Sequence, residues 1–189
     1  FILSGRRKNE KKINEINSKI ILSNATFEFK NTIGHRGVLV IRGMHSRLSG
    51  QVTNTDPAYV RDNFFGQALD KFQDVVLESK PMPGHEGSLE AIEAAGLLNE
   101  FTQKSYQVLN NSAVNKKRIS RNLPPANIIL CRSAGDSLPK FPPFSSLYNN
   151  LKMGCFVEMP VERGIALLTG MDIVDIPSST GHLDVDYPV

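Results

Sequence analysis

The residues best equipped for chemistry lie in one block, Gly34-His35-Arg36-Gly37-Val38-Leu39-Val40-Ile41-Arg42-Gly43. It places a guanidinium at each end of a short apolar run and an imidazole beside the first. Guanidinium groups offer coplanar, paired donors that match carboxylate and phosphate oxygens, so the pattern suits a clamp on an oxyanion. The same types recur around a second apolar run: Asn115, Lys116, Lys117 and Arg118 precede it, and Asn127 and Arg132 flank Ile128-Ile129-Leu130-Cys131. A single arginine at an element end often only caps carbonyls, but recurrence at several ends favours a convergent anion site.

Other chemistries find less support. Neither Gly-x-x-x-x-Gly-Lys-Ser/Thr nor Gly-x-Gly-x-x-Gly occurs, and no serine sits in a nucleophile elbow. His35, His45, His85 and His182 lack metal-ligand spacing. Asp184 and Asp186 would share one side of an extended segment and, with Asp172 or Asp175, could bind a hard cation, although turn chemistry explains them equally well. Cys131 and Cys155 stand among apolar neighbours and read as reduced, buried thiols of a cytosolic protein.

The positioning elements follow from periodicity. Val38 to Ile41 reads as a strand covered on both faces, and Asn127 to Cys131 as a second buried strand. Ile13, Ile16 and Ile20 mark a short helix behind the basic run Arg6-Arg7-Lys8, and Thr26 to Lys30 alternates as a half-buried strand. The stretch from Ser46 to Pro57 is a polar loop long enough to be functional. Residues 58 to 80 are mixed. From Ser88 to Leu109 the spacing predicts an amphipathic helix, with Glu90 and Glu93 near its positive N-terminal end. Ile165 to Leu168 and Ile173 to Ile176 are further core segments, the first helical or extended. Strands alternating with helices imply an α/β protein, a mixed β-sheet with helices packed on it.

The 189 residues are 40% hydrophobic, enough for one ordinary core or for a domain and part of a neighbour. No apolar stretch approaches the roughly 20 residues that span a bilayer, so no membrane partner is expected. A net charge of +3, mostly from the first helix, with phenylalanines in apolar rather than basic surroundings, does not describe a nucleic-acid binder. The chain starts at Phe1 and stops at Val189 without a polar tail, which reads as a fragment of a longer protein.

These blocks also carry a resemblance. Gly34 to Gly43, Val52-Thr53-Asn54-Thr55-Asp56-Pro57, Val114-Asn115-Lys116-Lys117-Arg118, Pro125-Ala126-Asn127-Ile128-Ile129-Leu130-Cys131-Arg132, Gly164-Ile165-Ala166-Leu167-Leu168-Thr169-Gly170-Met171 and Thr180-Gly181-His182-Leu183-Asp184-Val185-Asp186-Tyr187 follow one another in order. The series, from about Gly5 to Tyr187, resembles the archaeal-type, 2,3-bisphosphoglycerate-independent phosphoglycerate mutases. It departs from the family's usual pattern where Arg-Gly-Ala-Gly becomes Arg132-Ser133-Ala134-Gly135, and where Gly-Ala-Thr-Gly becomes Ser178-Ser179-Thr180-Gly181.

The resemblance implies an alkaline-phosphatase-like metalloenzyme of glycolysis and gluconeogenesis, located in the cytoplasm, with a substrate-closing domain inserted into its core fold. Residues 1–163 correspond to the inserted domain and 164–189 to the return segment toward a core domain that this chain lacks. In such enzymes a core-domain serine takes the phosphoryl group from 3-phosphoglycerate and returns it to the neighbouring hydroxyl, assisted by divalent manganese or magnesium. The nucleophile and main metal ligands would lie outside this chain, leaving no catalytic or metal residue here. Motif position and chemistry then make Arg36, Arg42, Arg118 and Arg132 substrate-facing and His35, Asp56, Asn115 and Asn127 their orienting or proton-handling partners. Two alternatives stay open: a non-catalytic anion-binding module, and a relative acting on another phosphorylated small molecule.

Overall fold

A computed structural model describes residues 6–32, 34–62, 65–157 and 159–174. The chain forms two compact units, Phe1–Ser137 and Leu138–Val189. In the first, helix α1 (Arg6–Lys19) precedes strands β1 (Ala25–Asn31) and β2 (Gly37–Gly43), which pair antiparallel with Phe27 opposite Ile41 and Phe29 opposite Leu39. A second antiparallel hairpin, β3 (Tyr59–Asp62) and β4 (Phe65–Ala68), is followed by helices α2 (Leu89–Asn110) and α3 (Ala113–Ile119).

The isoleucine spacing that marks the first helix does form α1, and the basic run belongs to it rather than preceding it. Ile16 and Ile20 pack with Leu22, Ala25 and Phe29 against Leu97, Phe101 and Leu109 of α2. Phe101 is fully buried, and Phe27 meets it edge-on with ring centroids 5.3 Å apart. The Ser88 hydroxyl caps α2 by accepting the Ala91 N–H at 3.2 Å, which supplies a partner for one unpaired first-turn donor.

Two sequence expectations need correction. Strand β2 is not covered on both faces: Leu39 and Ile41 reach the core, whereas Val38 is half exposed. A two-stranded sheet packed on helices has one inner face, so the alternate positions, including Arg42, turn outward. Residues 127–131 do not form a strand either. Their backbone is held by side chains instead of a ladder, with Ile129 N–H donating to Ser105 Oγ and Cys131 N–H to Thr55 Oγ1.

The second unit contains a short helix α4 (Phe144–Leu147) and two parallel strands, β5 (Gly154–Phe156) and β6 (Asp172–Val174), joined through helix α5 (Pro160–Thr169). The stretch from Ile165 to Leu168 is thus helical, and it is less of a core segment than its composition suggests: Ala166 is buried, but Ile165 and Leu167 are exposed. Helix α5 starts with Pro160 in its first turn and ends at Gly170, whose φ of 70° is the left-handed conformation that glycine adopts without penalty. Ile173 lies in β6, whereas Asp175, Ile176 and the segment from Ser178 to Tyr187 fall outside the described residues.

The protein is therefore α/β, and among the described residues the expected mixed sheet is three two-stranded sheets, two antiparallel and one parallel. Among those residues no helix is long and apolar enough to cross a membrane. Both cysteines are free. Cys131 packs against the core and burial pushes its thiol up to about 12, so it stays protonated and unreactive at neutral pH.

Candidate functional site

Two of the eight residues singled out from the sequence, Asp56 and Arg132, meet in one neighbourhood of the first unit, and the Arg132 charge is felt at a third, His35. The polar loop before β3 runs alongside residues 131–136 as an irregular ribbon. Thr55 N–H donates to the Cys131 carbonyl at 2.9 Å, and Asp56 N–H reaches the same oxygen at 3.3 Å. Further along, Asn54 Oδ1 accepts Ser133 N–H at 3.1 Å, and Gly50 N–H donates to Asp136 Oδ2 at 2.7 Å. That last bond holds the Asp136 carboxyl below its ordinary range, with help from Ser137. A Cβ at Gly50 would lie 2.6 Å from Gly135 Cα, so the two backbones approach as only glycine permits. From the other side, Arg61 Nη1 donates to the Gly50 carbonyl at 2.6 Å and the Val52 carbonyl at 3.2 Å.

This ribbon presents Arg132. Its guanidinium carbon sits 3.4 Å from the centre of the Tyr59 ring, and Nη1 lies 3.8 Å from Asp56 Oδ2. One face of the cation is stacked and one edge is loosely paired, while a third of the side chain stays open to solvent. Asp56 is itself fixed, its Oδ1 accepting Ala58 N–H at 3.0 Å. His35 and Arg36 stand in the turn before β2, where the Arg36 carbonyl accepts from Asn31 Nδ2 at 2.7 Å and from Thr32 N–H at 3.0 Å. Partial burial holds the His35 imidazole below its usual range, and the charges of Arg36 and Arg132 push the same way. His35 therefore shares an electropositive environment with both arginines, and a bound anion would favour its protonated form.

Asn115, Arg118 and Asn127 form a different place. Asn115 is completely buried, and its amide engages four groups: Nδ2 donates to the Leu109 and Ala126 carbonyls at 2.6 and 3.0 Å, and Oδ1 accepts Ala126 N–H at 3.0 Å and Lys12 Nζ at 3.5 Å. Lys12 Nζ also donates to the Ala126 carbonyl at 3.2 Å. Desolvation, with the nearby Arg118 charge, lowers Lys12 to about 8 despite the opposing influence of Glu15. Arg118 Nε donates to the Pro124 carbonyl at 2.8 Å, and Asn127 Nδ2 to Asn110 Oδ1 at 3.3 Å. Arg42 stands on the outward face of β2, where its charge helps to lower Glu28 after the larger effect of Lys30.

Residue type and motif position do not single out Tyr59, Asn54, Thr55 or Lys12. A signal for Asn54 and Thr55 is present in the Val52-to-Pro57 motif, of which charge selects only Asp56. Among the described residues no three His, Cys, Asp or Glu side chains converge as metal ligands, and the Asp184 and Asp186 pair lies outside them.

Residues 4–115 match the family described as 2,3-bisphosphoglycerate-independent phosphoglycerate mutase. The chain belongs to that family. Similar mutases occur in Aeropyrum pernix, 42% identical over 148 residues that cover 78% of this chain and 34% of the relative, and in Methanosphaera stadtmanae, 37% identical over 171 residues that cover 90% and 37%. The solved cofactor-independent phosphoglycerate mutase from Thermoplasma acidophilum superposes with a TM-score of 0.55 at 25% identity, covering 92% of this chain and 41% of its own. The chain thus spans little more than a third of the length of these mutases. The family match takes in His35, Arg36, Arg42, Asp56 and Asn115, and stops short of Arg118, Asn127 and Arg132.

Proposed function

We propose that this chain is the substrate-gripping part of a phosphoglycerate mutase that interconverts 3-phosphoglycerate and 2-phosphoglycerate, a step of glycolysis and gluconeogenesis, through a phosphoserine intermediate. The observation that carries the reading is the partly open Arg132 guanidinium, stacked on Tyr59 and flanked by Asp56, in the same electropositive environment as His35 and Arg36. A substrate with a carboxylate at one end and a migrating phosphoryl group needs fixed positive donors. In phosphoryl transfer, positioning and charge stabilisation supply most of the catalysis.

In this reading Arg132 and Arg36 hold substrate oxygens, Asp56 keeps Arg132 aimed, and His35 gains a proton as the anion arrives. Arg42 extends positive charge along the outer face of β2. Asn115, Arg118 and Asn127 serve the same site from behind by anchoring the segment that leads to Arg132. Residues 1–163 belong to an inserted domain and 164–189 return toward the core domain, with the second compact unit straddling that junction. In this reading the divalent manganese or magnesium of the whole enzyme belongs to the core domain, and no step is drawn through it. The whole enzyme works in the cytoplasm.

A chimera tests the proposal. This chain replaces the corresponding third of the Aeropyrum pernix mutase, and interconversion of the two phosphoglycerates is assayed. The expected result is activity that Arg132→Ala lowers through a raised KM. A folded chimera inactive on both phosphoglycerates, whether or not it acts on other phosphate esters, would overturn it.

A further inference from the structure

Asn54 is 6% exposed and uses both ends of its amide on parts of the chain that are remote from each other. Oδ1 accepts the N–H of Ser133, 79 residues away, at 3.1 Å, while Nδ2 donates to the Tyr59 carbonyl at 3.0 Å. Ser133 directly follows Arg132, and Tyr59 supplies the ring on which the Arg132 guanidinium rests. Thr55, fully buried, grips the residue before Arg132: its Oγ1 accepts Cys131 N–H at 2.8 Å and its N–H donates to the Cys131 carbonyl at 2.9 Å. The backbone of Arg132 is thus pinned on both sides by consecutive residues of one loop.

Ser133 adds a reason for the pin. Its φ is 57°, a conformation that side-chain-bearing residues adopt at a cost. The hydrogen bond to Asn54 stabilises that turn, and the turn sends the chain onward from Arg132 while its side chain lies over Tyr59. We infer that Asn54 is a positioning residue that fixes Arg132 and its Tyr59 platform as one unit, through paired hydrogen bonds to the Ser133 N–H and the Tyr59 carbonyl. The value of that unit to a substrate rests on the reading of Arg132 given above. The geometry itself does not.

The test uses the 189-residue chain with 15N-labelled arginine side chains. A guanidinium 3.4 Å from a ring centre lies in its shielding zone, so the Arg132 Nε–H resonance is displaced upfield, and Tyr59→Leu, which removes the ring, identifies it. In Asn54→Ala that displacement is expected to fall by more than half, while methyl resonances of Ile16 and Ile20 keep their positions. Adding Ser133→Gly, which relieves the strained turn, is expected to recover part of it. If Asn54→Ala does not fold, Asn54→Asp carries the test: it keeps an acceptor for Ser133 N–H and loses the donor to Tyr59, so the displacement shrinks while the Ser133 amide stays. A displacement unchanged in a folded Asn54 variant would overturn the inference. Titration with 3-phosphoglycerate is read separately: about tenfold weaker binding in Asn54→Ala accords with the inference. Absence of binding by the unaltered chain would count against the functional reading, while the ring shift would still decide the role of Asn54.

Discussion

Lys12, Asn115 and Arg118 around Ala126, and Arg132, Asp56 and Tyr59, are both built on cations and one short polar side chain. In the first cluster Asn115 is wholly buried and Lys12 is 3% exposed, and their donors end on backbone or on each other. In the second, the Arg132 guanidinium meets a ring face and a carboxylate 3.8 Å away, with a third of the side chain still in solvent. Burial with internal hydrogen bonding makes Asn115 and Lys12 a scaffold, because any incoming ligand would have to displace bonds already formed. Partial pairing at the surface makes the second available to an anion.

That contrast breaks most visibly at Asn115. Asn115→Ala strands the Ala126 N–H in the interior and takes the Asn115 oxygen away from Lys12, and the expected loss is about 3 kcal/mol in urea-induced unfolding. The folded fraction is expected to keep its affinity for anions. Arg132→Ala should do the reverse. Its stability change is expected to stay within about 1 kcal/mol, as for an exposed ion pair with a stacked cation, while 3-phosphoglycerate binding by calorimetry weakens at least about tenfold. Equal losses of stability and binding in both variants would erase the distinction.

Lys12 sharpens the comparison through pH. Its folded value of about 8 lies below the ordinary 10.5, so between those values the unfolded chain holds a proton that the folded chain has released. Lys12 therefore makes stability rise with pH across that window, with its penalty fully present below about 8; Cys131, held protonated in the fold up to about 12 against an ordinary 9.0, opposes it above about 9, so the rise is read between about 8 and 9. Lys12→Met removes the buried charge and leaves both ends of Asn115 paired with Ala126. Unfolding midpoints across the window should lose their upward slope in this variant; a slope that persists would place its origin elsewhere. The smallest effect is expected at Ser133→Gly, where relief of the left-handed turn, partly offset by the freer unfolded glycine, raises stability by about 1 kcal/mol or less.

How far these regions are legible in the sequence depends on the range of the interactions involved. Helix α2 is legible within about a residue because its apolar spacing and the Ser88 cap are local. The stretch from Asn127 to Cys131 is not, since an apolar run looks the same whether a strand ladder or the side chains of Thr55, Ser105 and Asn115 hold it. Residue type points to Arg36, Asp56 and Arg132 as anion-handling groups, but the same criterion selects Asn115, whose burial only the tertiary structure reveals. Tyr59 and Asn54 carry no charge and lie far along the chain from Arg132, so nothing local announces their contact. The resemblance implies a glycine where Ser133 stands, and the φ of 57° there is a conformation that glycine adopts without penalty.

The most direct test of the assignment of roles is a titration of the uniformly 15N-labelled chain with 3-phosphoglycerate, followed residue by residue. Shifts concentrated at His35, Arg36, Asp56 and Arg132, with Asn115 and Arg118 unmoved, are the expected result. Shifts centred on Asn115, Arg118 and Asn127 instead would show that the cluster around Ala126 is the binding site and that the roles assigned to the two regions are reversed.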